Sequence, residues 1–247
     1  MDSTTTLVAA PPAGRLSALA DIAIWFGVLL AWILVIGLFG RALAANPALM
    51  WLGAPVQALV FLGVAMVLLR RRGEGWRTVG LAPPVSIRRV AGLVVGGYAA
   101  MIAMNATLVL AVFPALGVAP PRLGAFLGIT GHPWIFVSWL ALAWSSAAVG
   151  EELLFRGFLW SRLERLFGGA RRAPVPTLVA QAALFGLAHI YQGWGGVLVT
   201  GAIGLVLGGV FLAGRRNLVA CMVLHGLIDT VSLTALFLGL VPTPVAS

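Results

Sequence analysis

The sequence predicts an all-α polytopic membrane protein of about seven transmembrane helices, and three observations predict it. Hydrophobic residues fill 61% of the 247 positions and the mean hydropathy is +1.04, whereas soluble domains are roughly 45 to 50% apolar. The apolar residues come in blocks of the ~20 that a helix needs to cross the hydrocarbon. The basic residues, all sixteen of them arginine, gather in alternate loops. By the positive-inside rule this orients such a chain.

Residues 1–17, with Ser, Thr and two prolines but no basic start before an apolar core, read as a disordered cytoplasmic tail rather than a signal peptide. Residues 18–241 form one membrane domain. Its spans are 22–40, 49–69, 90–113, 134–163, 176–191, 197–213 and 218–240. Six arginines (Arg70, Arg71, Arg72, Arg77, Arg88, Arg89) lie between the second and third spans, four (Arg162, Arg165, Arg171, Arg172) at and after the end of the fourth, and Arg215 and Arg216 after the sixth. The opposite side has Arg41 and Arg122. The N-terminus and the basic loops are therefore expected in the cytoplasm, and the pI of 11.7 expresses topology rather than nucleic-acid binding. Tryptophans near span ends (Trp51, Trp76, Trp134, Trp160, Trp194) are expected at the membrane interface.

Within the spans, Gly92 and Gly96 of the third and Gly204 and Gly208 of the sixth have the four-residue spacing that allows close helix packing. Gln57, Asn105 and Gln181 are candidates for helix-to-helix hydrogen bonds. The lone Cys221 has no disulfide partner and reads as a buried, inert thiol. His132 falls in a loop.

The fourth span carries Glu151, Glu152 and Arg156 in a chain where only 9% of residues are charged. Ionisable residues in a bilayer core cost about 2.5 to 3.5 kcal/mol each on insertion scales and point to function. Glu152 and Arg156, four apart, face the same way as a supporting ion pair. Glu151 lies about 100° around the helix and is free for work. The fifth span presents Gln181, Phe185 and His189 as one stripe, and the seventh has His225 and Asp229 four apart. At about 1.5 Å per residue, Glu151, His189 and His225 lie roughly 18, 20 and 12 Å from their cytoplasmic ends. These depths agree within boundary error, so the fourth, fifth and seventh helices could form one polar chamber open to the cytoplasm.

The runs Glu151-Glu152-Leu153-Leu154-Phe155-Arg156-Gly157, Phe185-Gly186-Leu187-Ala188-His189 and His225-Gly226-Leu227-Ile228-Asp229 resemble the three ordered motifs of the CPBP intramembrane proteases. That family includes type II CAAX prenyl endopeptidases and bacterial proteins of bacteriocin processing or self-immunity. The resemblance places a CPBP-like core at 134–241. It implies an endopeptidase in which Glu151 is the general base, His189 helps bind or activate water, and His225 with Asp229 stabilises the oxyanion or holds the water. Asp229 stands where the prenyl-protein branch typically has Asn, so an ionised Asp229 would orient His225 or join a metal site rather than donate a hydrogen bond. A zinc site on Glu151, His189 and His225 is the competing version of the same chemistry.

The expected protein is a multi-pass endopeptidase of a bacterial inner membrane that acts on a peptide or membrane-protein substrate. A non-catalytic immunity or scaffold protein of the same fold is the alternative. An ion-coupled transporter is the third, although no paired broken helices or inverted repeat support it.

Overall fold

The computed structural model describes residues 14–44, 47–84, 86–126, 128–169 and 172–241. Most of the expected tail and Arg171 lie outside these, whereas residues 15–17 are already helical. Among the described residues are seven principal helices and no strand: α1 Arg15–Ala44, α2 Pro47–Arg70, α3 Ile87–Leu116, α4 Pro133–Leu166, α5 Pro174–Leu187, α6 Gly193–Ala213 and α7 Val219–Phe237. Prolines at the first position of α4 and α5 start those helices where a missing N–H has no partner to lose.

Six helices are long and apolar enough to cross a membrane, and the chain is a multi-pass membrane protein. The exception is α5. Its 14 residues span about 21 Å at 1.5 Å per residue, short of the ~30 Å hydrocarbon. The predicted fifth span 176–191 therefore ends early, at Leu187. The chain then reverses through a short 3₁₀ turn and Gly193, whose φ of +81° suits a residue without a side chain.

Helix α4 organises the bundle, packing against α1, α2, α5 and α7. Its flanks feed two apolar cores. Leu153 and Trp160 join Val206, Phe211, Leu224 and Ile228 of α6 and α7, while Leu154, Phe155 and Phe158 join Trp25, Phe61 and Phe185 of α1, α2 and α5. Outward-facing Val95 and Leu110 of α3 are 70% and 78% exposed, as expected of side chains that meet lipid.

Two packing expectations change. Gly92 and Gly96 face open space, and it is Gly97 that lies against Val210 and Leu224; Gly204 and Gly208 do pack closely, against Ala182 and Leu178 of α5. Trp160 is buried against Phe211 at 5.2 Å between ring centroids rather than at an interface, because it belongs to the inner face of α4. Gln57 behaves as expected, accepting from Trp32 Nε1 at 3.1 Å across α1 and α2.

One end of the bundle holds a charge network. Asp21 of α1 accepts from Arg72 (2.7 and 2.8 Å) and from Arg162 Nε (2.9 Å). Arg162 Nη1 donates to Glu74 at 2.7 Å, Arg165 also donates to Glu74, and Arg216 donates to Glu164 at 2.6 Å. Arg162 is fully buried, so the network ties α1, the loop after α2 and the end of α4 together. Four arginines that read only as topology signals are thus also structural.

Truncating one partner of a buried ion pair costs about 3 to 5 kcal/mol, so Asp21→Ala should lower the thermal midpoint of the purified protein markedly. Acid sensitivity should localise to Glu74. Burial alone would raise its carboxyl, yet hydrogen bonds from Arg165 and Arg162 hold it below the ordinary value. A carboxyl lowered in the folded state stabilises above its unfolded pKa, and that contribution is lost as pH falls through the folded value. The midpoint should fall on acidification below about pH 4.5, and Glu74→Gln should flatten that fall while lowering the neutral-pH plateau.

Candidate functional site

Glu151, Glu152 and Arg156 of α4 sit where the helix is wound with π-type pairing, across Ala143–Leu159. Such segments are uncommon and recur at functional sites. On this stretch Glu152 and Arg156 are both fully buried, with Arg156 Nη1 donating to Glu152 Oε1 at 2.8 Å. The Arg156 guanidinium also lies 4.3 Å from the Phe185 ring centroid, which adds a cation–π contact in a dry setting. The predicted ion pair is present, and it has a third member.

That member is His225. Its Nδ1 lies 2.8 Å from the same Glu152 Oε1, and because an ionised carboxylate only accepts, the imidazole donates. His225 thereby has its ring plane and one nitrogen fixed, with Nε2 turned toward Asp229 Oδ2 at 3.7 Å. Arg156, Glu152 and His225 form a relay of charge that joins α4 to α7.

His189 lies in the turn after α5 rather than on the helix itself, so the stripe predicted from Gln181 through Phe185 ends one step early. The turn still holds the ring. His189 Nδ1 donates to the Phe185 carbonyl at 2.9 Å, leaving Nε2 free, and the Phe185 ring lies 5.1 Å from His189 and 6.1 Å from His225 between centroids. Phe185 is the apolar spacer between the two histidines. Its place in the i, i+4 stripe was visible in the sequence, but its role between the rings was not.

Glu151, half-buried, has no hydrogen bond to any described residue; it acts electrostatically on His225, Asp229 and Tyr191. Tyr191 is a member of the neighbourhood that the sequence did not single out. It is exposed, and its ring lies 5.8 Å from that of His189, a proximity that follows from the turn rather than from any spacing. His132 begins α4 as an exposed residue, away from this group.

Two glycines of the motifs make the close packing possible. A methyl group on Gly226 would meet the Trp144 ring at 2.7 Å, and one on Gly186 would meet the Val197 carbonyl at 2.5 Å. The first contact seats α7 on α4, with Trp144 Nε1 donating to Thr230 Oγ1 at 3.1 Å, and the second seats α5 on α6. The motif glycines set helix spacing around the motif polar residues.

Among the described residues no three His, Cys, Asp or Glu side chains converge as a group that could hold an ion, and Glu151, His189 and His225 as placed do not form one. Cys221 is buried, its Sγ 3.4 Å from the Leu207 carbonyl, and takes no part.

Residues 133–231 match the family model of Rce1-like proteins, described as type II CAAX prenyl endopeptidase Rce1-like. This segment is an Rce1-like domain. It begins with α4 and ends within α7, so it contains every residue of the polar group, and it relates the chain to CAAX-type intramembrane proteases; α1 to α3 lie outside the match. No curated protein and no solved structure was found to match the chain.

Within the Rce1-like domain, Glu152→Ala would leave Arg156 buried without its carboxylate, at a cost of about 3 to 5 kcal/mol. Glu152→Leu combined with Arg156→Met should recover most of that stability, as apolar replacements of buried pairs do, and still release His225. Chemical denaturation of the three proteins checks this order. Gly226→Ala should destabilise by about 1 to 3 kcal/mol, the range for overpacking, in the same measurement.

Proposed function

We propose that the protein is an intramembrane endopeptidase, hydrolysing a peptide bond with water activated by Glu151 and His189. The observation that carries this reading is the division of labour between adjacent carboxylates. Glu152 is consumed by Arg156 and His225, while Glu151 is left unbonded beside them. Both histidines have Nδ1 engaged; Nε2 of His189 is open, and Nε2 of His225 faces Asp229 Oδ2 at 3.7 Å, beyond hydrogen-bond reach.

In the proposed reaction Glu151 takes a proton from water as the water oxygen bonds to the carbonyl carbon, with His189 Nε2 holding the water. Protonated His225 donates from Nε2 to the oxygen that becomes negative, and Glu152 behind it compensates the charge. The proton on Glu151 then passes to the amide nitrogen as the C–N bond breaks. Asp229 Oδ2, 3.7 Å from His225 Nε2 and not hydrogen-bonded to it, favours the protonated ring by its charge. The chamber is formed by α4, the turn after α5, and α7, and the basic end of the bundle faces the cytoplasm of a bacterial inner membrane. The substrate is a peptide or membrane protein, in keeping with the match to the type II CAAX prenyl endopeptidases.

Proteoliposomes should be given synthetic peptides with a prenylated C-terminal cysteine motif and their unprenylated counterparts, with products read by mass spectrometry. Glu151→Gln and His189→Ala should each reduce cleavage about 10²- to 10⁴-fold, the usual contribution of a general base, without lowering the thermal midpoint. Cleavage at the parental rate by both variants would retire the assignment.

A further inference from the structure

At the basic end of the bundle, away from the polar group of α4 and α7, a groove opens where α3 begins and the chain passes from α6 to α7. It encloses about 360 Å³ of space, partly open to solvent, and is lined by Ser86, Arg89, Leu93, Arg215 and Asn217 among others. Its floor is apolar, with Val90 and Ala220 buried beneath Leu93, and its rim is basic. Arg89 Nη2 donates to the Ala213 carbonyl at 2.6 Å, which fixes the guanidinium at the rim with donors to spare. Asn217 braces the opposite wall, donating to the Ala82 carbonyl at 2.8 Å and accepting from Val219 N–H at 3.0 Å.

The charge on this rim is not used elsewhere in the described structure. The acids of this end are all engaged: Asp21 with Arg72 and Arg162, Glu74 with Arg162 and Arg165, and Glu164 with Arg216. The other described acids, Glu151, Glu152 and Asp229, belong to the polar group between α4 and α7. No described carboxylate is left for Arg89 or Arg215. Arg215 and Arg216 also adopt φ of +58° and +60°, a left-handed conformation that is unfavourable for a residue with a side chain and that persists where the surroundings require it. Glycine would hold this turn without that cost. An exposed arginine at the strained position gives up stability for a charge at the groove.

We infer that the groove of Arg89 and Arg215 binds the phosphate headgroup of an anionic phospholipid, with the acyl chain on the Val90 and Leu93 wall. A phosphate accepts forked hydrogen bonds from two guanidinium groups, and basic pockets between helix ends are suited to lipid headgroups. Ile87, three residues before Val90 and so its neighbour along α3, is exposed beside this floor. A free phosphate would make no use of that wall, so the site is a lipid site. The inference rests on the membrane setting alone and holds whether or not the chain is a protease.

The test uses the full chain in nanodiscs of phosphatidylcholine with and without phosphatidylglycerol, read by thermal midpoint and by lipid adducts in native mass spectrometry. Phosphatidylglycerol should raise the parental midpoint and stay bound. Arg215→Gly, and Arg89→Gln with Arg215→Gly, should weaken retention at least tenfold. In pure phosphatidylcholine Arg215→Gly should match or exceed the parental midpoint, which shows that the fold is intact. Arg70→Gln with Arg71→Gln, two exposed arginines of the same end outside the groove, should bind as the parent does. Equal loss in that control would reduce the effect to diffuse attraction, and unchanged binding by Arg215→Gly would remove the site. Inorganic phosphate at matched phosphorus concentration should leave the midpoint unmoved; an equal rise would make it a free-anion site and overturn the lipid assignment.

Discussion

The structure depends on one constraint: a carboxylate and a guanidinium are held fully buried in the middle of an apolar bundle. Burying either alone would cost several kcal/mol, and Glu152 and Arg156 are tolerated because each completes the other at 2.8 Å. The pair needs more than itself. Arg156 leans on the Phe185 ring and Glu152 takes a second hydrogen bond from His225, so the electrostatic requirements of α4 dictate where α5 and α7 must lie. The apolar cores then fill around a position that the charges have already specified.

The same logic works at the basic end of the bundle, where Arg162 is as completely buried as Arg156 and meets Asp21 and Glu74. One helix thus carries two buried arginines, six residues apart, each paired with acids from other parts of the chain or from its own turn. The first ties α4 to the helices that carry histidines. The second ties it to α1 and the loop after α2, which lie outside the Rce1-like match. The two parts of α4 therefore anchor different partners, α5 and α7 through Arg156 and Glu152, α1 and the loop after α2 through Arg162, on one continuous framework.

Much of this was legible in the sequence. Hydropathy located six spans because lipid leaves little choice of residue, and the four-residue spacings of Glu152 with Arg156 and His225 with Asp229 were readable because helix geometry is local. What failed was long-range or depended on a turn. The contact of Glu152 with His225 crosses 73 positions, and spacing carries no information about such a pair. His189 was placed on a helix because the apolar run continues past Leu187, whereas the helix stops there and the chain reverses at Gly193. Gly92 and Gly96 had the right spacing on the wrong face; the choice between them and Gly97 was decided by the partners Val210 and Leu224. Asp21 and Glu74 went unnoticed because acids near span ends look like ordinary surface residues until the buried arginine opposite them is known.

The shortness of α5 gives the site its form. A full-length span would carry its polar stripe across the bilayer and present His189 on a rigid helical face, packed like its neighbours. Ending at Leu187 instead puts His189 in a turn, where its Nδ1 finds the Phe185 carbonyl freed by the helix end. The unsatisfied carbonyl that terminates the helix is thus the group that orients the ring. One histidine is held by a helix terminus and the other by a buried carboxylate, so each has the same nitrogen hydrogen-bonded, while the second nitrogen of His225 faces Asp229 at 3.7 Å.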